Sequence, residues 1–171
     1  MTKMPGLKAG PLASNHDRAG FTCGIESLDR YIRTQASQDV RRRANGVFVL
    51  AGSDNPDAIP GYYTLCATTL APGEVPLKAR KHLPRYPLVA ATLIGRLAVA
   101  QSRQGEGLGA LLLADALHRA YASAAIVGSS MVVVDAISEH AAAFYEAHGF
   151  IRLPDSLRLI LPVSSIAKLF A

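Results

Sequence analysis

The chain has 171 residues, of which 50% are hydrophobic and 18% are charged, and its formal net charge is +5. This length fits one domain, and the composition excludes a disordered chain. No apolar run reaches the ~18 residues that span a bilayer, and Met1–Lys8 lacks the apolar core of a signal peptide. We therefore expect a single domain over residues 1–171 that is cytoplasmic and has no contact with a membrane.

Cysteine and histidine usage argues against a metal site or a disulfide framework. The two cysteines, Cys23 and Cys66, do not form a CxxC pair. The five histidines show no ligand spacing: His16, His82, His118, His140 and His148. We expect no metal. Because no histidine is paired with Cys23, this residue is predicted to be a small buried side chain rather than a nucleophile.

The predicted elements begin with a helix over Ile25–Gln38, which places Ile25, Leu28, Tyr31 and Ile32 on one face. Three strands follow, at Gly46–Gly52, Tyr62–Leu70 and Leu88–Ala100. The polar segment Ser53–Asp57 separates the first strand from the second.

The second half alternates helices and strands. A helix over Gly107–Ala124 has an apolar stripe formed by Gly109, Leu112, Leu113, Ala116, Leu117 and Ala120. Met131–Ala136 is apolar, as expected of a strand covered on both faces. The next helix, Ser138–His148, has Ser138 as N-cap and Gly149 at C′. The strand Arg158–Pro162 and the helix Ser164–Phe170 complete the chain. This order predicts an α/β (mixed α+β) fold, with a mixed sheet flanked by helices.

A glycine-rich loop joins the strand Leu88–Ala100 to the helix that follows it. Small residues let backbone N–H groups approach a phosphate, and the helix dipole favours its charge. We therefore predict a phosphate site at Gln104–Gly109, beside Arg103, which could add a charge-assisted contact. A tight turn without a ligand is the alternative. A Rossmann site needs an acidic residue about 20 positions further on and a Walker A loop needs Gly-Lys-Ser/Thr, and the chain has neither.

Two motifs give the chain a family resemblance. Gln104–Gly109 resembles the Gln/Arg-x-x-Gly-x-Gly/Ala motif of the GNAT superfamily of acetyl-CoA-dependent N-acetyltransferases, and it follows a long strand, as in that family. Ala143–Phe150 resembles the family's Phe-Tyr-x-x-x-Gly-Phe signature. The resemblance implies the GNAT fold, with a mixed, mostly antiparallel twisted sheet and acetyl-CoA in the splay between its two central strands.

The resemblance also implies roles for individual residues. Loop amides would hold the pyrophosphate of acetyl-CoA, and the backbone at the end of the preceding strand would pair with the pantetheine arm. The implied cofactor residues are Leu97, Ala98, Val99, Arg103, Gln104, Gly105, Glu106, Gly107, Leu108 and Gly109. Tyr145 would be the catalytic residue that protonates the leaving thiolate, although helical tyrosines more commonly pack in the core. We expect the Val99 N–H to stabilise the oxyanion.

A general base is harder to assign. An α-amine has a pKa of about 7.7–8.0, and the amine of an aminoacyl ester should lie lower because the ester withdraws charge. A useful fraction would be neutral, so this substrate needs no strong base. Glu139 and His140 are candidates by position, but we favour a solvated helix start as the role of each.

Three further places narrow the resemblance to the GNAT toxins of type II toxin–antitoxin modules. They are Phe21–Gly24 with Leu28, Asp29 and Tyr31; Gly61–Leu65; and Leu83–Pro87 followed by Ile94–Val99. The match runs from about Leu12 to Phe170, although the charged, proline-bearing segment Pro72–Pro87 departs from the pattern. The resemblance implies acetyl transfer to the amino acid on charged tRNA, which blocks translation. It also implies two partners: a small ribbon-helix-helix antitoxin that represses the shared operon, and a second copy of the chain in a homodimer.

Positive charge is concentrated in two clusters. The first contains Arg41, Arg42 and Arg43, and the second contains Lys78, Arg80, Lys81, His82 and Arg85. Both could be solvated surface, since basicity alone proves no nucleic-acid partner. The alternative is phosphate contact with the tRNA, which would be salt-sensitive. We favour this alternative because the clusters flank segments expected around the active site.

Two other functions stay open. A GNAT enzyme that acetylates a small amine or a protein N-terminus would not require the basic clusters. A non-catalytic module that only binds acetyl-CoA would not require Tyr145.

Overall fold

The computed structural model describes residues 6–169. The start of Met1–Lys8 and the end of the predicted helix Ser164–Phe170 lie outside the described residues. Contacts between Cα atoms divide the chain into two compact units, which we describe separately. Unit 1 contains Met1–Leu65 and Arg96–Ala116, and unit 2 contains Cys66–Gly95 and Leu117–Ala171. That the whole chain acts as one domain stays a prediction.

Within residues 6–169 the strands belong to one sheet, in the order β1-β2-β3-β4-β5-β7-β6. They are β1 (Leu7–Pro11), β2 (Gly46–Gly52), β3 (Gly61–Leu70), β4 (Val89–Val99), β5 (Met131–Asp135), β6 (Ile151–Arg152) and β7 (Arg158–Pro162). The α-helices are α1 (Glu26–Arg30), α2 (Ala36–Arg41), α3 (Leu77–Arg80), α4 (Leu108–Ala124), α5 (Glu139–Ala147) and α6 (Val163–Leu169). A π-helical turn, Tyr31–Gln35, joins α1 to α2, and 3₁₀ turns lie at Pro72–Glu74 and Gln101–Arg103. This arrangement confirms the predicted fold class.

Unit 1 is built on antiparallel pairing of β1 with β2 and of β2 with β3. Its core is rich in aromatic residues. The ring of Tyr62 packs edge-on against Phe21 at 5.4 Å between centroids and stacks on Tyr31 at 6.4 Å. The buried Tyr62 hydroxyl donates a hydrogen bond to the Leu28 carbonyl at 2.7 Å, so its polar atom is satisfied.

Unit 2 contains a parallel pairing, which joins β4 to β5 from Ala91↔Met131 to Ile94↔Val134. β7 then pairs antiparallel with both β5 and β6. Met131–Val134 are fully buried, as predicted for a strand covered on both faces. The caps of α5 are also confirmed: Ser138 Oγ accepts from Ala141 N at 3.1 Å, and Gly149 has a φ of +95°.

The structure corrects several predicted boundaries. The predicted helix Ile25–Gln38 runs from Glu26 to Arg41 and contains the π-helical turn, whose extra residue breaks the 3.6-residue period. α4 begins at Leu108 rather than Gly107, because Gly107 has a φ of +79°. The prediction also missed β1, β6 and α3, which have five, two and four residues and too little apolar periodicity to be recognised.

The end of α2 holds an arginine in a strained conformation. Arg43 has a φ of 58°, in the left-handed region. Its N–H donates to the Val40 carbonyl at 3.1 Å, and Ala44 N–H donates to the Asp39 carbonyl at 2.8 Å. These two bonds form a Schellman motif, whose left-handed position is usually glycine because a side chain there costs ~1–2 kcal/mol. Arg43 is therefore an unfavourable residue for the backbone at this position.

Candidate active site

The glycine-rich loop lies between the 3₁₀ turn Gln101–Arg103 and the start of α4. Gly105 and Gly107 have φ values of +85° and +79°, and a Cβ added to either would meet no atom within 4 Å. The backbone N–H groups of Gly105, Glu106 and Gly107 donate no hydrogen bond to any residue in 6–169. Open space over unpaired amides at a helix N-terminus is the geometry that a phosphate group requires.

Two polar side chains of the loop bind other parts of the protein. Arg103 Nε forms an ion pair with Glu106 at 2.9 Å, so the predicted phosphate contact of Arg103 would be shared with a carboxylate. Gln104 Nε2 donates to the carbonyls of Cys23 at 3.1 Å and Val99 at 3.3 Å. Gln104 thus ties the loop to the end of β4 and to the segment that precedes α1.

The buried carboxylate of Asp29 organises that preceding segment. Its Oδ1 accepts from Cys23 N–H at 2.8 Å, and its Oδ2 accepts from the Thr22 hydroxyl at 3.1 Å. The Thr22 carbonyl in turn accepts from Gln101 N–H at 2.8 Å, while the Cys23 carbonyl accepts from Gln104. Asp29 therefore braces the loop through two intervening residues. The sequence showed Asp29 only as part of a motif, because its partners are backbone groups and a hydroxyl.

The pKa shifts of Asp29 and Cys23 agree with an ionised Asp29 and an unreactive Cys23. Burial opposes ionisation of Asp29, but hydrogen bonds from Cys23 and Thr22 and the charge of Arg33 outweigh it and lower the pKa. The carboxylate is therefore ionised at neutral pH. Burial, together with a hydrogen bond to Asp29, raises the pKa of the Cys23 thiol to about 11. A thiol that keeps its proton agrees with the prediction that Cys23 is not a nucleophile.

Tyr145 lies on α5 with its ring buried between aromatic neighbours. Its centroid is 5.1 Å from that of Phe144 and 5.5 Å from that of Phe150, both in edge-on packing. Burial raises the pKa of its phenol, so the proton is retained at neutral pH. Its hydroxyl has no hydrogen-bond partner among residues 6–169. A protonated phenol with a free donor can give its proton to a leaving group, and the raised pKa makes it a weaker acid than an ordinary phenol.

The two candidate bases at the start of α5 have other surroundings. Both oxygens of Glu139 accept from Arg152, each at 2.7 Å. This pairing lowers the pKa of Glu139, whereas a general base needs a pKa close to neutrality. His140 is exposed. The structure thus favours a role for Glu139 at the exposed start of α5 over a role as general base.

The two basic clusters belong to different units. Arg41, Arg42 and Arg43 are all exposed at the end of α2 in unit 1. In unit 2, Lys78, Lys81 and Arg85 are exposed, while Arg80 donates twice to the Val75 carbonyl, at 2.9 and 3.2 Å. His82 shares a hydrogen bond with Ser164 at 3.0 Å. Arg80 thus has a structural task besides any contact with RNA.

Two other kinds of feature are absent from the described range. No group of three or more His, Cys, Asp or Glu side chains in residues 6–169 could hold a metal ion. Over the same range, every helix is too short or too polar to cross a bilayer.

Residues 44–152 match the acetyltransferase (GNAT) domain family. The chain belongs to this family, which confirms the predicted fold and the predicted class of enzyme, an acetyl-CoA-dependent N-acetyltransferase.

Two relatives are similar over most of the chain. The chain is 33% identical over 146 residues to a tRNA-acetylating toxin of Mycobacterium tuberculosis, with 85% of each chain covered. It is 29% identical over 168 residues to the probable toxin TacT of Sinorhizobium fredii, with 93% of this chain and 92% of TacT covered. These matches confirm the resemblance to GNAT toxins.

Three solved structures extend the comparison. A mutant of KacT has a TM-score of 0.90 and 30% identity, covering 96% of this chain and 99% of KacT. AtaT complexed with acetyl-methionyl-tRNAfMet has a TM-score of 0.88, with the same identity and coverage. A mutant AtaT toxin bound to acetyl-CoA and to the C-terminus of the antitoxin AtaR has a TM-score of 0.81 and 28% identity, covering 97% of this chain and 99% of AtaT.

The loop predicts a strong effect of a side chain at Gly107. Gly107→Val should remove most of the rise in Tm that acetyl-CoA causes, because the side chain fills open space beside the loop and strains a positive φ. In the wild type, ligand at 100 times its Kd adds about 2.7 kcal/mol of stability. Gly149→Val is the matched control, since Gly149 also has a positive φ and open space. An unchanged shift in Gly107→Val would contradict the pyrophosphate assignment.

The Asp29 brace predicts a selective loss of cofactor affinity. Asp29→Ala leaves the Cys23 N–H and the Thr22 hydroxyl without their acceptor, which costs ~1–3 kcal/mol for the buried Cys23 N–H. The loop then loses its anchor, so the Kd for acetyl-CoA, measured by calorimetry, should rise at least about tenfold. Asp29→Asn keeps an oxygen acceptor, so its Kd for acetyl-CoA should lie between those of Asp29→Ala and the wild type.

Asp39→Ala is the control for this experiment. Asp39 also accepts several side-chain hydrogen bonds, from Tyr31, Gln35 and Asn45, but none of them leads to the loop. Its removal should lower Tm while the affinity for acetyl-CoA is kept. Equal losses of affinity in the two alanine variants would show that the effect of Asp29 is only general destabilisation.

Proposed function

We propose that this chain is a toxin that transfers the acetyl group of acetyl-CoA to the α-amine of aminoacyl-tRNA and so inhibits translation. The observation that carries the proposal is the similarity, over nearly the whole chain, to AtaT complexed with acetyl-methionyl-tRNAfMet. The name of the Mycobacterium tuberculosis relative, a tRNA-acetylating toxin, supports the same substrate.

In this proposal the loop amides of Gly105–Gly109 bind the pyrophosphate of acetyl-CoA, and the backbone of Leu97–Val99 pairs with its pantetheine arm in the splay between the central strands. The unpaired N–H groups and the open space above Gly105 and Gly107 support the first part. Arg103 and Glu106 belong to the same site as an ion pair that straddles the loop.

The reaction then needs one acid and no strong base. The neutral α-amine attacks the thioester carbon, and the Val99 N–H stabilises the oxyanion that forms. Collapse of this intermediate forms the amide and breaks the C–S bond. The thiolate takes its proton from the Tyr145 phenol, the amine releases its own proton to solvent, and the Tyr145 phenolate regains a proton from solvent. The lowered pKa of Glu139 fits a mechanism in which this residue is not the base.

The exposed arginines at the end of α2 are proposed to bind tRNA phosphates, together with Lys78, Arg80, Lys81 and Arg85. The conformation of Arg43 supports this role, because its φ of 58° disfavours any residue except glycine, asparagine or aspartate. Backbone strain at an exposed residue that makes the fold no more stable supports the hypothesis that its side chain contacts a ligand.

We also propose the partners implied by the family: a small ribbon-helix-helix antitoxin and a second copy of the chain. AtaT bound to the C-terminus of the antitoxin AtaR supports an antitoxin partner. The proposed substrate, charged tRNA, is consistent with action in the cytoplasm.

Tyr145→Phe tests the acid. This change keeps the packing of the ring against Phe144 and Phe150, so the fold and the affinity for acetyl-CoA should survive. Single-turnover acetylation should fall by about 10²–10⁴-fold, the usual contribution of a positioned acid. Since burial raises the pKa of Tyr145 above its ordinary value of about 10, the wild-type rate should stay level on the alkaline side up to about pH 10.

Tyr121→Phe is the control, because Tyr121 is a half-exposed tyrosine of α4 outside the proposed site. If the Tyr145→Phe protein is well folded and acetylates as fast as Tyr121→Phe, Tyr145 is not the general acid and only packs in the core.

The substrate is tested by incubating labelled acetyl-CoA with charged and uncharged tRNA. Label should enter N-acetyl-aminoacyl-tRNA from charged tRNA alone.

Arg43→Gly should weaken tRNA binding and reduce the slope of log K against log salt by ~0.7–0.9 for each phosphate that the arginine neutralises. The same change should leave Tm equal or higher, because glycine adopts the left-handed conformation freely.

Arg43→Lys keeps the charge and should retain the salt dependence.

If no label enters any charged tRNA and a polyamine is acetylated rapidly, the toxin hypothesis is wrong and the chain is an enzyme that acetylates small amines. If the protein binds acetyl-CoA but acetylates no amine, the chain is a non-catalytic module that only binds acetyl-CoA.

A further inference from the structure

Arg96 is a half-buried arginine on β4 whose guanidinium has a stacking partner but no hydrogen-bond acceptor in the described part of the chain. Its Cζ lies 3.6 Å from the centroid of the Tyr31 ring, and no hydrogen bond or ion pair joins the guanidinium to another residue in 6–169. Arginine presents five N–H donors. Stacking uses the face of the guanidinium and leaves the donors at its edge available.

The surroundings hold this guanidinium in a fixed position. Tyr31 is 5% exposed, and its ring also stacks on that of Tyr62, at 6.4 Å between centroids. Its hydroxyl donates to Asp39 Oδ2 at 2.8 Å, and Gln35 and Asn45 also donate to that carboxylate. Hydrogen bonds from Gln35 and Tyr31 lower the pKa of Asp39, and the charge of Arg96 adds to this effect without a direct ion pair between the two side chains. The result is a buried aromatic support beneath a cation whose N–H donors have no acceptor among residues 6–169.

The position of Arg96 in the chain limits which anion it can meet. It directly precedes Leu97–Val99, the segment proposed to lie beside the thioester. The phosphates of acetyl-CoA lie at the other end of the pantetheine arm, and an aminoacyl ester carries no anion on its backbone. The anion closest to the reacting amine of aminoacyl-tRNA is the phosphate of the terminal nucleotide.

We propose that Arg96 binds the phosphate of the 3′-terminal nucleotide of aminoacyl-tRNA and so positions the reactive ester. This inference rests on the proposed function. It adds a contact close to the chemistry, distinct from the exposed clusters that bind the body of the tRNA. A short chain of contacts links Arg96 to one of those clusters: Arg96 stacks on Tyr31, Tyr31 bonds Asp39, and the Asp39 carbonyl accepts from Ala44 in the turn that holds Arg43.

The test compares two minimal acceptors that carry the same amino acid: its ester on adenosine and its ester on adenosine 5′-monophosphate. The wild type should prefer the phosphate-bearing acceptor by about 10- to 100-fold in kcat/KM, the range of a hydrogen bond to a charged group. Arg96→Gln should lose this preference, so that its kcat/KM values for the two esters become equal within error. Arg96→Lys keeps the charge without the planar fork and should keep part of the preference.

Arg30→Gln is the matched control, because it removes the same charge from an exposed residue of unit 1 and should keep the full preference. Calorimetry with acetyl-CoA shows whether the Arg96→Gln protein is folded, and its affinity should equal that of the wild type. An undiminished preference in Arg96→Gln would overturn the proposal, and so would a selective loss of acetyl-CoA affinity, which would assign Arg96 to the cofactor. If the wild type acetylates neither ester nor any charged tRNA, the proposed function itself is wrong.

Discussion

The carboxylate of Asp29 is the constraint on which the candidate cofactor site depends. A glycine-rich loop can expose its amides only because glycine adopts positive φ, but the same freedom makes the unbound loop costly to order. The structure limits this cost by fixing both ends of the loop. Leu108 is buried at the start of α4, and Gln101 and Gln104 are bonded to carbonyls of the segment that Asp29 holds. The two glycines with positive φ lie between these two bonded or buried ends, which holds the loop in one conformation before a ligand binds.

The sequence predicted those parts of the fold and site that are encoded locally. The burial of β5, both caps of α5 and the glycine loop could be inferred from neighbouring residues. Contacts with the backbone could not. The partners of Asp29 are an N–H group and a hydroxyl, and the loop is attached through carbonyls, so no pattern of side chains reveals the brace. β1 was missed for a similar reason, because Leu7–Pro11 contains Gly10 and Pro11 and is identified by its pairing with β2.

In the proposed mechanism, charged and aromatic side chains have different roles towards the acceptor. In the proposal, the exposed arginines at the end of α2 attract phosphates at long range, and this attraction weakens with salt. Arg96 is held by stacking, and a partly buried contact is screened much less. The Tyr145 phenol completes the set by keeping its proton through burial. Attraction, positioning and proton transfer thus fall to side chains with different degrees of exposure.

The π-helical turn Tyr31–Gln35 has a consequence for how this segment can vary. An α-helix advances about 100° per residue, so the one extra residue of the turn rotates everything after it by that angle. Asp39 reaches the Tyr31 hydroxyl across this rotated register. Deleting a single residue within the turn would restore regular helical bonds and move Asp39 to another face of the helix. A one-residue gap here would thus remove the Asp39 contact beneath Arg96 and also rotate the buried Ala36 and the arginines at the end of α2. The length of this turn therefore couples the support of Arg96 to the packing of α2.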